Sequence, residues 1–297
     1  MEFKKFIKAV GTGPKGNREL TLEESIEMMK QILNRTAPNE LIAAFLLGWR
    51  LKPETITEYR GALMALDQFV ETQTIENSIE LGYPFDGKAA HPYLLPLVAR
   101  ELKKFDFQIL VMGDDRVPAK EGVTIKDLFT KIPQEENIHY FDRKKYLPSL
   151  HALTDIRSLL GVRSAFNTLE KLPKLGNSRF AITGVFHRPY VQKYNDIFQG
   201  RYERFALLQG NEGSPELFNK AKFWLTVDSK IQEYLIDPER YGIEKMIAHD
   251  TIDFSATEKL FVDPDKNTLK LVKLNAAILL FVAGKVESID QGYQLCE

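Results

Sequence analysis

The sequence predicts an α/β protein in which a small helical domain, interrupted in sequence, stands beside a larger α/β domain with a central, mostly parallel sheet. Three observations predict it. The first seventy residues carry amphipathic helical stretches joined by short connections, the texture of a helical bundle. Short continuous apolar runs then alternate with helical stretches, as buried parallel strands with crossover helices do. Helical periodicity returns between two groups of such strands, so the helical domain draws on a second segment. The boundaries read 1–72 with about 143–173 for the helical domain, and 73–142 with 174–297 for the α/β domain.

The GTG at 11–13 has no strand before it and no helix directly after it, so it reads as a flexible basic lead-in with Lys15 and Arg18 rather than a phosphate cradle. Thr21 and Glu24 fit a capping box, followed by Ile26, Met29, Ile32 and Leu33 at helical spacing. A second helix starts near Pro38, and a third follows Pro53 and runs to about Val70. Ile79, Leu81 and Tyr83 alternate like a strand. A helix from His91–Pro92 leads to a buried strand at 107–111, and a further strand is expected at 137–141. One helix is expected over 149–160, closed by Gly161. Strands are expected at 180–186, 205–208, 223–227 and 269–274, the last ones antiparallel, with a buried final helix at 275–285.

Composition bounds the function. Hydrophobic residues make up 44% and charged residues 27% of the 297, ordinary for a globular protein. No run of 18 apolar residues and no apolar leader occur, so a cytoplasmic protein without membrane contact is expected. The only cysteine, Cys296, excludes an internal disulfide and a cysteine metal cage. The formal net charge is −1, but it is unevenly spread: 141–204 holds twelve Lys/Arg against five Asp/Glu, and 205–297 holds ten against fifteen. Such a bias can build a basic face on a neutral protein, or reflect charges solvated separately.

Two loops sit where an α/β enzyme handles phosphate. The segment FDGKAA (85–90) lies between a strand and a helix start and contributes Lys88, though a tight Asp-Gly turn reads as well. GDDRVPAKEG (113–122) follows a buried strand; Arg116 and Lys120 are candidate phosphate ligands, and Asp114 or Asp115 candidate metal ligands. QGNEGSPEL (209–217) supplies Glu212 and Glu216, weak candidates for Mg²⁺, with an exposed turn as the alternative. The histidines at 91, 139, 151, 187 and 249 show no metal-binding spacing or nearby carboxylate pattern, and no nucleophile elbow is present. No catalytic residue and no metal site are assigned.

Taken together, these segments resemble the anthranilate phosphoribosyltransferase family, glycosyl transferase family 3, over almost the whole chain. The helical start from ELTLEESIEMM to LKPETITE is similar to the family's N-terminal domain. RSLLGVRSAFNTL (157–169) is similar to its R-x-x-L-G-x-R-T-x-F-N signature, and NAAILLFVAGK to its closing helix. The resemblance implies the nucleoside phosphorylase/phosphoribosyltransferase type of fold, a site at the domain hinge, and a homodimer through the helical domain.

The family's enzymes hold the pyrophosphate of phosphoribosyl pyrophosphate with G-T-G-G-D followed by N-x-S-T; here those stretches read YPFDG and PYLL. K-H-G-N-R corresponds to Val111, Met112, Gly113, Asp114 and Asp115, the H-P pair to Leu147–Pro148, and the Mg²⁺-binding D-E pair to Pro215–Glu216. Arg157 and Asn167 match, and in the enzymes that arginine contacts anthranilate. The motifs DGKAAHPYLLPLVARELK, RVPAKEGVT and QGNEGSPEL look instead like a divergent, non-biosynthetic branch. A characterised kind within it binds nucleic acid through basic surface grooves.

The expectation is therefore a protein that lacks the usual phosphoribosyl pyrophosphate and Mg²⁺ motifs and binds nucleic acid or another polyanion without a cofactor. Arg143, Lys144, Lys145, Arg157, Arg163, Lys171, Lys174, Arg179 and Arg188 are expected to line its surface; Tyr146, Phe166 and Tyr190 lie between these charges, either to stack single-stranded bases or, as such residues more often do, to fill the core. The alternative is a glycosyl or phosphoribosyl transferase with an altered substrate, using Lys88, Arg116 and Lys120, with Mg²⁺ as its cofactor.

Overall fold

The computed structural model describes residues 2–210 and 212–296. Its first helix, α1 (Lys4–Gly11), was not expected from the sequence and precedes the non-helical stretch that carries Lys15 and Arg18. Burial of Phe6, Ala9 and Val10 against the neighbouring helices orders it. Helices α2 (Leu22–Leu33), α3 (Asn39–Leu51) and α4 (Ile56–Leu66) follow. Thr21 and Thr55 each close a capping box, with Glu24 and Glu58. Buried Glu58 also accepts from the backbone of Leu20 and from Trp49 Nε1 at 2.8 Å, which ties three parts of the bundle together. The third expected helix stops at Leu66, short of Val70.

The chain then enters the sheet: β1 (Ser78–Gly82), α5 (Leu95–Leu102), β2 (Gln108–Gly113), α6 (Ile125–Lys131) and β3 (Ile138–Asp142). Helix α5 starts at Leu95, later than expected, because 83–94 is a long loop. The second helical segment is α7 (Arg143–Tyr146), α8 (Pro148–His151), α9 (Thr154–Leu160) and α10 (Phe166–Leu169). The single helix expected over 149–160 is thus two, while Gly161 ends α9 in the left-handed region at φ 68° as expected.

The remainder is β4 (Phe180–Val185), α11 (Pro189–Phe198), β5 (Arg204–Gln209), β6 (Ala221–Val227), β7 (Lys230–Ile236), α12 (Phe254–Val262), α13 (Lys266–Val282) and α14 (Ile289–Leu295). The strand expected at 269–274 lies inside α13. There Asp265 caps the backbone of Thr268, and Leu271, Leu274, Asn275 and Ile278 repeat at helical spacing on the buried side. The additional strand is β7, reached through Asp228 and Ser229, both at positive φ as in a two-residue hairpin turn.

The sheet order is β3-β2-β1-β4-β5-β6-β7, with the first five strands parallel and the last two antiparallel. Alternation along the strands feeds two cores. Ala181, Phe205, Leu207 and Trp224 face the helical domain, while Ile182, Ala206, Leu208, Phe223 and Leu225 face α5, α13 and α14. Among the described residues, no helix is long and apolar enough to cross a membrane.

Candidate functional site

A parallel sheet collects the loops from its strands' carboxyl ends on one edge. Here that edge gathers 83–94 after β1, 114–124 after β2, 186–188 after β4 and 212–220 after β5, beside the second helical segment. The first two loops are locked to each other. Lys88 and Val123 form an isolated antiparallel bridge, and a Cβ on Gly87 (φ 79°) or on Gly122 would stand 2.5 Å from backbone of the other loop. Both positions therefore require glycine.

The centre of this edge is neutralised from within. Glu212 accepts from the backbone N–H groups of Ala89, Ala90 and His91. Burial opposes its ionisation, yet His91, these N–H groups and the Lys88 charge hold its pKa at about 2. Glu216 is buried. It accepts from Leu94 and Leu95 N–H at 2.8 Å, at the start of α5, and pairs with the ammonium of Lys88. Lys88 is itself fully buried between the rings of Tyr93 and Phe218 and donates to Pro92 O.

An anion approaching these N–H groups meets two carboxylates already seated on them. The cavity left between Lys88, His91, Glu212 and Glu216 is about 60 Å³, several-fold below the volume of ordinary ligand sites. Glu216 thus occupies a buried cap, not the exposed turn considered as the alternative, and Lys88 is not open to a phosphate.

The other loop candidates fare differently. Arg116 is exposed. Lys120 is half-buried; its ammonium donates to Glu212 O at 3.1 Å and stands 3.7 Å from Asp86, and burial lowers its pKa. Asp86 also receives Arg163 at 2.7 Å.

Below them runs a buried ion network. Arg143 bridges Asp114 and Glu170, and Arg157 holds Glu170 at 2.6 and 2.9 Å. Burial disfavours ionised Glu170, but the two guanidinium groups outweigh it and keep its pKa below the usual range. Asn167 receives Arg157 and donates to Pro118 O, so the family-like signature joins the helical segment to the β2 loop.

This corrects the expected surface. Arg143, Arg157 and Lys171 are buried, at 0, 1 and 5% exposure, and cannot line a groove. Lys171 donates to the carbonyls of Gly184 and Gly213. Tyr146 and Phe166 are buried too, whereas Tyr190 is 41% exposed. Lys144, Lys145, Arg163, Arg179 and Arg188 are exposed and Lys174 is half-buried.

They do not share one face. Arg179 precedes β4 and Arg188 follows it, so the six extended residues of β4, roughly 20 Å, lie between them. Arg163 and Arg188 belong to the carboxyl edge, as do Lys144 and Lys145 after β3; Lys174 and Arg179 lie at the opposite end.

Sequence reasoning missed several partners. His151 Nδ1 lies 2.7 Å from Asp114, and His91 Nδ1 lies 3.7 Å from Glu212, so two of the histidines do have carboxylate neighbours, brought from distant segments. Asp114, Asp115 and His151 offer ligand atoms within 4.8 Å of one another, although Arg143 and Lys126 already pair with the two aspartates. Phe186, 54% exposed beside His187 and Arg188, was also missed; an aromatic–basic run directly after a buried strand was the available signal.

Comparisons with known proteins fit this architecture. The helical bundle domain of a glycosyl transferase family matches residues 4–70, and the a/b domain of a glycosyl transferase family matches 123–297. An uncharacterized protein of Aquifex aeolicus (strain VF5) is 26% identical, covering 93% of this chain and 91% of its own length. An anthranilate phosphoribosyltransferase of Saccharolobus islandicus is 24% identical over 93% of this chain and 86% of its own. The anthranilate phosphoribosyltransferase of Thermus thermophilus superposes with a TM-score of 0.77 at 18% identity, covering 99% of this chain and 92% of that one. The Saccharomyces cerevisiae enzyme in complex with PRPP and Mg gives 0.74 at 13% identity, over 100% and 92%. At these identities the solved structures show a shared fold.

Proposed function

We propose, from the premise that this chain belongs to the glycosyl transferase family through both its helical-bundle and its α/β domain, that it is an anthranilate phosphoribosyltransferase-like protein that binds nucleic acid on its surface. The observation that carries the reading is the self-occupied loop edge. The N–H groups of 89–91 and 94–95 and the ammonium of Lys88 are already bonded to Glu212 and Glu216. A highly charged diphosphate would have to displace both carboxylates.

Mg²⁺ does not fit this donor set either. One oxygen of Glu216 takes two N–H bonds and the other faces an ammonium, which repels a dication. The stretches PYLL and Val111–Asp115, which lack the family's hydroxyl, lysine and histidine donors, point the same way. The transferase alternative requires Glu212 and Glu216 to leave their caps.

The exposed cations that can meet a polyanion are Arg116, Lys144, Lys145, Arg163 and Arg188, all on the carboxyl edge, with Phe186 and Tyr190 exposed beside Arg188. Contacts to phosphate dominate such binding, and the exposed rings add stacking that tolerates any base. Exposed Leu47 and Leu51 on α3 and Met64 on α4 give the helical domain an apolar surface suited to a homodimer.

Fluorescence anisotropy with labelled single-stranded and duplex oligonucleotides at stepped salt tests the binding. Five phosphate contacts give a log–log salt slope of roughly −3.5 for a single strand and −4.5 for a duplex. Arg163→Ala/Arg188→Ala should weaken binding, and Lys174→Ala/Arg179→Ala should not. The reading fails if micromolar protein at low salt shifts neither probe. It fails equally if phosphoribosyl pyrophosphate with Mg²⁺ binds with measurable heat.

A further inference from the structure

The hairpin side of the α/β domain holds a cavity of about 520 Å³ that runs from Arg204, at the start of β5, to Asp237, the partner of Lys220. It opens between the antiparallel hairpin β6–β7 and the junction of α13 with α14. This volume falls within the range of small-molecule sites. Its floor is apolar and aromatic: Leu225 and Phe281 are buried, and Tyr234 and Ile289 are half-buried.

One cation in this cavity has no counter-ion. The half-buried Arg204 donates through Nε to Val282 O at 2.7 Å and through Nη2 to Phe281 O at 2.9 Å. No carboxylate lies within ion-pair distance of it among the described residues. Burial lowers its pKa even though the last carbonyls of α13 accept from it. Arg240, also in the lining, makes no ion pair among the described residues either.

Acids do line the mouth, but two are already engaged. Asp237 pairs with Lys220 at 2.7 Å, and Asp290 accepts from Tyr241 Oη. Glu287 is left exposed at the rim. Asp290 keeps its charge in that hydrogen bond, so with Glu287 it offsets the two guanidinium groups at the exposed mouth; what sets an anion preference is Arg204, the one charged group of the four that is half-buried against the apolar floor.

We propose that this cavity binds an amphipathic carboxylate, its charged head on the free N–H donors of Arg204 and its apolar body on Leu225, Tyr234 and Phe281. Guanidinium and carboxylate match in planar, charge-assisted hydrogen bonds, and the aromatic floor takes a ring or a short alkyl chain. The site is independent of the nucleic-acid reading, and either can fail without the other.

Calorimetric titration of the full chain with 4-phenylbutyrate tests it, with 4-phenylbutylamine and 4-phenylbutanol as probes of the same body without the anion. The acid should bind saturably and about tenfold more tightly than either control, the worth of one charge-assisted contact. Arg204→Gln should erase that preference. Because Arg204 also holds the last carbonyls of α13, Ile289→Trp supplies a second variant, which fills the mouth without touching the guanidinium and should abolish binding of all three. Absence of saturable binding of the acid at about 10 mM, equal binding of the amine, or acid binding unchanged in a folded variant would overturn the proposal.

Discussion

Replacing Glu216 by glutamine tests the central claim about the loop edge, that it is held shut from within. Glutamine keeps the shape and still offers an oxygen to Leu94 and Leu95 N–H, but it removes the carboxylate paired with Lys88. Both side chains are essentially without solvent exposure, 0% for Lys88 and 4% for Glu216. Breaking a buried pair by removing one partner costs about 3–5 kcal/mol, because the remaining charge stays out of water without compensation. Lys88→Met should cost less, about 1–3 kcal/mol, since Glu216 keeps two backbone donors at the start of α5.

In the double variant the stranded ammonium is gone, so its loss should fall short of the sum of the single losses by about 1–3 kcal/mol. Urea unfolding followed by tryptophan fluorescence and circular dichroism measures all three. A loss under about 1 kcal/mol for Glu216→Gln, or additive single losses, would refute the reasoning; the edge would then be open to solvent and to ligands.

Two further outcomes follow from buried and exposed groups elsewhere. Glu80, fully buried in β1, accepts from Lys174 N at 2.8 Å while its other oxygen has no partner, and burial raises its pKa from 4.5 to about 7. A raised carboxylate pKa means full stability below the unfolded value and loss as pH rises through the folded one. The wild type should therefore lose about 3 kcal/mol between pH 4.5 and 7.5 from this group, and Glu80→Gln should flatten that slope in pH-stepped urea titrations. In the helical domain, Leu51→Glu places a charge on a side chain 73% exposed, so it should convert the proposed dimer to monomer in light scattering and remove the dependence of the unfolding midpoint on protein concentration.

Much of the architecture was legible because local patterns and the final fold agreed. Thr21 and Glu24 announced α2, Gly161 ended α9, and the alternation at 79–83, the apolar run at 107–111 and the strand-like run at 180–186 became central parallel strands. Where they failed, a local pattern admitted two readings. LKLVKL alternates like a strand, yet the Asp265 cap and burial on one side set it in α13. β7 was invisible because an edge strand, half solvated and closed by Asp-Ser, carries little apolar alternation.

The candidate site divides along the same line. Residue types, spacing and the family-like signature over 157–169 could be read along the chain, and so could the loops that would handle phosphate. What each charge does could not, because its partners come from far away. Glu216 reaches Lys88 across 128 positions, Arg163 reaches Asp86 across 77, and Arg143 joins Asp114 to Glu170. A list of basic residues cannot distinguish a lysine sealed between two rings from one in water. Folding makes that distinction by bringing carboxylates onto the loop N–H groups and withdrawing Arg143, Arg157 and Lys171 from the surface, because a buried charge must find its counter-charge or its carbonyls.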